Sequence, residues 1–463
     1  MTMKIKFLGA TGTVTGSKYL LQSGTAKILL DCGLFQGYKQ LRLRNWQPLP
    51  IAPAELDAVV LTHAHLDHSG YVPLLVKNGF RGKIYCSGAT YELCRILLPD
   101  SGRLLEEEAG FANRHGFSKH SPALPLYSEA DAVRALRHFS PVKFNTVFQP
   151  CDGLQVELFR AGHILGAAIV QIKSADTTIT FSGDLGRLHD LIMPAPSKIE
   201  SSDYLVLEST YGDRQHDATD PAILLGNTIR ETSSRGGVTI IPSFAVGRAQ
   251  EIMYHLHLLK KSGALPSALP VYLNSPMAAD TTALYHQYHE DHQLNAAQCE
   301  AMCHAAKIVN SVEESIALNR KRTPMVIIAA SGMATGGRVL HHLKAFASDT
   351  RNTILFAGFQ AGGTRGAAMI GGVESIKIHG DYIPLRAKVL QIDNLSAHAD
   401  ASEIMTWLSY FKTPPKKTFI THGEPAAADA LRRRITENLR WECYVPDYCE
   451  EIELTENVPS VIK

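Results

Sequence analysis

At 463 residues the chain is longer than one ordinary hydrophobic core supports, so two or three domains are expected. With 45% hydrophobic and 20% charged residues it is an ordinary globular chain, and a formal net charge of +1 excludes a basic body. Any nucleic-acid binding must then use a local positive cleft or a bound metal. No stretch of about 18 apolar residues occurs, so no membrane span is expected.

The chain opens Met-Thr-Met-Lys-Ile-Lys-Phe-Leu, which alternates like a strand and lacks a signal peptide's apolar core. Short strands are expected at Lys4–Leu8, Ser17–Leu21 and Lys27–Leu30, the last running into Asp31-Cys32-Gly33. Gly9-Ala-Thr-Gly12-Thr-Val-Thr-Gly16 fits neither GxGxxG nor GxxxxGK and reads as a hairpin turn. The apolar run Ala58–Leu61 reads as a buried strand. Helical patterns follow over 71–140, including Asp131–His138, and strands return at Val156–Phe159, Ile169–Ile172 and Thr178–Phe181.

From about residue 210 strands and helices alternate. Val238–Pro242 leads into Ser243-Phe-Ala-Val-Gly247-Arg248 and a helix over Ala249–Lys260. Val271–Leu273 leads into Asn274 and another helix, and Val326–Ala329 into Ser331-Gly332-Met-Ala-Thr-Gly-Gly-Arg338. Such alternation predicts a parallel sheet with ligand-facing loops at the strands' C-terminal ends. Strand-like character of the earlier kind resumes from about 386, before a Pro-punctuated C-terminus.

The eight cysteines are scattered and form no CxxC, which argues against a zinc ribbon or a disulfide framework and for a reducing cytoplasm. Cys299, Cys303 and His304 have a metal-compatible spacing, but on a helix plain packing accounts for them.

Directly after Ala58–Leu61 stands His63-Ala-His65-Leu-Asp67-His68, four metal-ligating side chains within six residues. Imidazole nitrogens and carboxylate oxygens are the donors that zinc accepts. His63 and His65, two apart on an extended segment, point the same way. Asp67 and His68 follow a change of direction and can face a second ion. Four more candidates follow apolar strands or sit in tight turns: Asp31, His163 in Ala-Gly-His-Ile-Leu-Gly, Asp184 in Phe-Ser-Gly-Asp-Leu-Gly, and His422 in Phe-Ile-Thr-His-Gly-Glu. Singly, each also suits a turn or an ordinary hydrogen bond. Together they supply donors for two ions.

On these residues the chain resembles the metallo-β-lactamase superfamily, whose first four motifs match Asp31, the 63–68 cluster, His163 and Asp184. Glu208 in Leu-Val-Leu-Glu-Ser-Thr-Tyr-Gly, His398 in Leu-Ser-Ala-His-Ala-Asp, and His422 match motifs A, B and C of its β-CASP subgroup. The resemblance implies an α/β fold: a metallo-β-lactamase αβ/βα sandwich with an inserted, parallel β-CASP α/β domain. The sandwich would span 1–209 and return at 386–463, with the insert at 210–385. It implies that two Zn²⁺ are bound, one by His63, His65 and His163, the other by Asp67, His68 and His422, with Asp184 bridging. Asp31 would orient a ligand or the nucleophile; Asp67 would serve the reaction as well as the metal.

The resemblance further implies a zinc-dependent ribonuclease for single-stranded RNA. His398, held by Glu208, would donate a proton to the 3′ oxygen and leave 5′-phosphate and 3′-hydroxyl ends. His422 favours RNA over DNA, because DNA-repair members of the subgroup typically lack that histidine. Endonucleolytic cutting is expected, and 5′-exonucleolytic cutting stays open. A thioester or lactam hydrolase would need neither Glu208 nor His398, and a non-catalytic RNA-binding subunit would not need every ligand position filled. Ser243, Arg248, Ser331, Gly332 and Arg338 stand after strands, where phosphate contact and simple turns both suit them. Arg320–Arg322 and Arg432–Arg434 guide RNA or are solvated faces. A homodimer is compatible with the sequence.

Overall fold

The computed structural model describes residues 3–116, 118–175 and 177–454. Met1 and Thr2 of the alternating start, and residues 455–463 of the C-terminal stretch, lie outside the described residues. The chain divides into two units, one formed by the residues up to Gln215 with those from His398 onward, the other by His216–Ala397.

The first unit is built on two seven-stranded sheets. One has the order Glu451–Leu454, Met3–Phe7, Tyr19–Ser23, Ala26–Leu30, Ala58–Val60, Lys83–Ser87, Phe139–Val142. The other runs Cys443–Tyr444, Lys417–Thr421, Tyr204–Glu208, Thr177–Phe181, Ala168–Ser174, Leu154–Arg160, Phe148–Cys151. Alternation in Met3–Phe7 buries Met3, Ile5 and Phe7 and leaves Lys4 and Lys6 partly exposed, as a strand with one covered face requires. Tyr204–Glu208 is buried at all five positions. It pairs in parallel with Thr177–Phe181 on one side and Lys417–Thr421 on the other, where continuous apolar sequence is the rule.

The two sheets face each other across one core. Phe7 meets Phe419 at a ring-centroid distance of 5.3 Å, Tyr19 meets Phe181 at 5.7 Å, and the Tyr19 hydroxyl lies 3.0 Å from Thr421 Oγ1. On the outer faces, Gly88–His115 packs on Lys83–Ser87 and Phe139–Val142, and Pro425–Leu439 on Lys417–Thr421 and Cys443–Tyr444. Ser87 caps the first of these helices and Gly116, at φ 63°, ends it in the left-handed conformation that glycine adopts freely. Gly9–Gly16 lies in the connection between the antiparallel strands Met3–Phe7 and Tyr19–Ser23, the hairpin expected there.

The second unit carries a six-stranded, wholly parallel sheet ordered Lys307–Ile308, Val271–Asn274, Met325–Ala329, Val238–Pro242, Thr353–Ala357, Lys388–Ile392. Its edge strand Lys388–Ile392 lies past the boundary expected at residue 385. Helices such as Arg248–Lys261 and Pro276–Gln287 follow the strands. Cys299 is buried in the helix Ala296–Cys303, and His304 lies 2.9 Å from the Glu300 carbonyl through Nδ1, so this motif is ordinary packing and capping.

Phe419 sits at the centre of the sheet–sheet core, fully buried between Phe7 and Tyr204. Phe419→Ala is expected to lower unfolding free energy by about 3–5 kcal/mol, the range for truncating a buried aromatic, read from the denaturant midpoint. A loss below about 1 kcal/mol would show that the two sheets do not share this core.

Candidate metal centre

The site lies wholly in the first unit, at the C-terminal ends of the strands. Ala58–Val60 delivers the loop 63–68, Tyr204–Glu208 ends in Glu208, and Lys417–Thr421 runs directly into His422. Ala26–Leu30 delivers Asp31. His163 lies in the turn between Leu154–Arg160 and Ala168–Ser174, and Asp184 follows Thr177–Phe181. His398 precedes the helix Ala401–Leu408, which Asp400 caps and Glu403 locks in a reciprocal capping box. Asp31 (φ 54°) and His422 (φ 47°) hold left-handed backbone conformations that non-glycine residues rarely adopt.

The structure brings His63, His65, His163 and Asp184 together. His63 Nε2 and His163 Nε2 lie 3.2 and 3.3 Å from His65 Nδ1, and 3.4 and 3.5 Å from Asp184 Oδ2. A tetrahedral zinc with ligands about 2.0–2.1 Å away would space its donors by about 3.3–3.4 Å. The spacing fits. A second group meets beside it: His68 Nε2 and His422 Nε2 are 3.1 Å apart, and Asp67 Oδ2 is 3.5 Å from His422 Nε2 and 3.9 Å from His68 Nε2. Asp184 turns its other oxygen, Oδ1, toward this group, 3.2 Å from His68 Nε2. One carboxylate thus faces both groups. Its Oδ1 is buried and makes no hydrogen bond among the described residues, as suits an oxygen reserved for a cation.

The nitrogens that face away from the groups are fixed by Asp31 and by two threonines that the sequence did not point to. Thr62 Oγ1 lies 3.1 Å from His63 Nδ1 and donates to Asp31, whose Oδ2 is 2.8 Å from His68 Nδ1. Thr210 Oγ1 lies 3.1 Å from His422 Nδ1. These contacts leave the opposite nitrogen of each ring facing its group, the usual arrangement around ligating histidines. The signal was faint: Thr62 adjoins the cluster and Thr210 stands two residues after Glu208.

The loop 63–68 is also held by backbone. Ser17 N–H donates to Asp67 O, Cys32 N–H to His68 O and Leu34 N–H to Leu66 O, at 2.7–2.8 Å. Lys18, buried over the rings of Phe35 and Tyr71, donates to the Gly33 carbonyl. Burial draws its pKa down to about 8 against the pull of Cys32. A Cβ on Gly33 would stand 1.6 Å from Asp67 O.

His398 lies at the rim of the metal-compatible groups. Its Nδ1 is 3.1 Å from Glu208 Oε1 and 3.2 Å from Oε2, its Nε2 is 4.0 Å from Asp184 Oδ2, and its side chain is 16% exposed. Glu208 is itself pinned by the Leu185 N–H at 2.7 Å. Burial pulls the His398 pKa down, but Glu208, then Asp184 and Asp67, hold it above the ordinary histidine value and favour the protonated ring. Burial likewise works against ionised Asp184, yet His422, His68 and His63 hold it well below the usual carboxylate range. Burial lowers His63 well below its usual value, keeping it neutral as a ligand must be.

The five expected phosphate contacts all lie in the second unit. Pro242 and Ala329 are register partners, so the loops carrying Ser243 and Ser331 leave neighbouring strands. Ser331 Oγ accepts from the Thr335 N–H, and Gly332 faces Phe244 where a Cβ would clash at 2.7 Å. Arg248 is buried and paired with Glu251. Arg338 donates to Asn274 Oδ1, Val309 O and Asn310 O, a role in holding loops of its own unit together.

Comparison with known proteins follows this division. The family model described as the metallo-beta-lactamase superfamily matches residues 11–220, the Beta-Casp domain matches 249–369, and the Zn-dependent metallo-hydrolase RNA specificity domain matches 382–446. The chain is 37% identical over 436 residues to Ribonuclease TTHA0252 of Thermus thermophilus, covering 93% of this chain and 95% of that one. It is 31% identical over 481 residues to transcription termination factor FttA of Methanosarcina mazei, covering 98% and 72%. A crystal structure of a protein of unknown function from Enterococcus faecalis superposes with a TM-score of 0.54 at 15% identity, covering 98% and 100%, a likeness of fold alone.

Gly33→Ala should push the 63–68 loop off its backbone contacts and lower bound zinc, measured by elemental analysis of the purified protein, while far-UV circular dichroism stays unchanged. Zinc content equal to wild type would show that this close approach does not set the loop. Asp184→Asn should deplete zinc further, because neither group keeps its shared carboxylate.

Proposed function

The chain belongs to the metallo-β-lactamase superfamily and, within it, to the β-CASP group, and from that premise we propose that it is a two-zinc ribonuclease that cuts within single-stranded RNA. The observation that carries the reading is Asp184, one carboxylate turned toward two separate histidine groups, with His398 and its Glu208 partner beside it. His63, His65 and His163 would hold one ion, Asp67, His68 and His422 the other, and Asp184 both. Zinc bound there supplies Lewis acidity and neutralises the charge that builds on a phosphodiester during displacement.

The protein's own groups do the rest. Asp31 and Thr210 keep His68 and His422 turned so that Nε2 faces inward. Glu208 accepts the Nδ1 proton of His398, which leaves the second proton of the imidazolium on Nε2, on the side of Asp184. A water attacks phosphorus and forms the new P–O bond as the P–O3′ bond breaks, and the proton of His398 passes to the departing 3′ oxygen, so the products carry 3′-hydroxyl and 5′-phosphate ends. The likeness to a protein named a ribonuclease and the match to an RNA specificity domain support RNA as substrate. No described helix is long and apolar enough to cross a membrane, and the eight cysteines are free, which suits a reducing compartment.

Two measurements decide this. A circular single-stranded RNA should be opened by the zinc-loaded protein, since only internal cutting linearises a circle; degradation of linear RNA alone would overturn the endonucleolytic reading. His398→Ala should keep its zinc yet lose about 10²–10⁴-fold in turnover, the usual contribution of a general acid. Loss of zinc in that variant would make His398 a ligand instead.

A further inference from the structure

The first unit displays a second feature that the metal centre does not use. Between Gly33 and Ala54 the chain has no acidic residue but carries Lys39, Arg42 and Arg44. The short helix Lys39–Arg44 continues into a turn, with Trp46 N–H donating to Leu43 O. Tyr38, Arg42 and Trp46 recur at intervals of four and so fall along one side of it. Tyr38 and Trp46 are each 58% exposed, which is unusual for large aromatic side chains that could have joined a core. Beside them the Arg44 guanidinium stacks 4.0 Å over the Tyr448 ring. One carboxylate from another element interacts with the cations, Glu108 of the helix Gly88–His115, acting on Arg42.

This face is rigidly tied to the metal loop. Asn45 pins the helix by exchanging hydrogen bonds with Phe35, at 2.9 Å to its N–H and 2.8 Å to its carbonyl. Leu34, one residue earlier, donates to Leu66 O in the metal loop. Tyr38 is four residues from Leu34 and therefore at most about 14 Å along the chain.

We propose that this face is a track for single-stranded RNA, with bases stacked on Tyr38 and Trp46 and phosphates met by Lys39 and Arg42. Exposed aromatics interleaved with cations are how proteins hold unpaired strands without reading sequence. A flat apolar partner would leave the cations unmatched, whereas a polyanion with exposed π-faces uses both. The proposal rests on the ribonuclease reading and names where its substrate lies outside the metal centre.

The test exploits a spectroscopic accident of the chain. It has three tryptophans, and Trp407 and Trp441 are buried, so quenching by an added strand reports on Trp46. Oligouridylate of 30 nucleotides should quench emission in the His398→Ala background and fail to do so when Trp46→Phe is added. In the otherwise wild-type protein, Trp46→Ala should raise KM for that RNA about tenfold with kcat unchanged, within the roughly 1–3 kcal/mol of one stacked base. Arg42→Ala should flatten the salt dependence of KM. Bis(p-nitrophenyl) phosphate, too small to reach the track, should be turned over equally by wild type, Trp46→Ala and Arg42→Ala. If wild type hydrolyses that diester but no RNA, the ribonuclease reading fails. If it cuts RNA and Trp46→Ala does so with the same KM, the ribonuclease reading stands and the track is wrong.

Discussion

Everything in the first unit answers to one constraint: imidazole nitrogens and carboxylate oxygens are held 3.1–3.5 Å apart in a pocket with almost no water contact. Lone pairs at that spacing repel, and burying the carboxylates costs several kcal/mol each unless a cation answers them. Attraction between Asp184 and its histidine neighbours answers part of that cost. The surrounding backbone leaves the side chains no alternative, and a cation placed among them would turn the remaining repulsion into coordination.

The backbone meets this demand with few, short devices. Strands of both sheets deliver ligands from their C-terminal ends, so the positions inherit the stiffness of a packed core and not the freedom of a loop. The loop 63–68 has no helix or strand of its own until Leu66, yet three backbone donors from Ser17, Cys32 and Leu34 fix it. Lys18 and Gly33 belong to the same device. One supplies a buried charge to a carbonyl; the other supplies the missing side chain that lets two backbone segments touch. The left-handed backbone at Asp31 and His422 is the strained part of the arrangement, at the two residues where a strand must turn sharply into the site.

What could be read from the sequence follows the range of the interaction concerned. Val238–Pro242 was legible to the residue because a continuous apolar run between two parallel neighbours has one comfortable state. His63, His65, Asp67 and His68 were legible because their chemistry is concentrated in six residues. His163 and Asp184 are lone residues in glycine turns: their positions made them candidates, and the family resemblance assigned their roles. Thr210 was barely legible: its role is to hold a ring 212 positions away, and only its place two residues after Glu208 hints at that. The same holds for Gly33, whose importance is a distance to Asp67 O. Arg338, a cation after a glycine pair, has a role that local reading does not give, since its own unit uses it to hold Val309 and Asn310.

The charges of the centre argue for a particular division of labour. Asp31, Asp67, Asp184 and Glu208 bring four negative charges into a small, mostly buried volume. Two divalent cations would cancel them and leave the ligating histidines neutral. His398 then stands apart: Glu208 takes its Nδ1, and with Asp184 the pair forms a third cluster of donors beside the two histidine groups. Its imidazolium would make the whole assembly positive by one charge. In the proposed reaction the one negative charge of a phosphodiester would meet that surplus when the substrate binds. Charge balance would thus favour binding of the anionic substrate, and would do so only if Glu208 is kept for His398 and not shared with the metals.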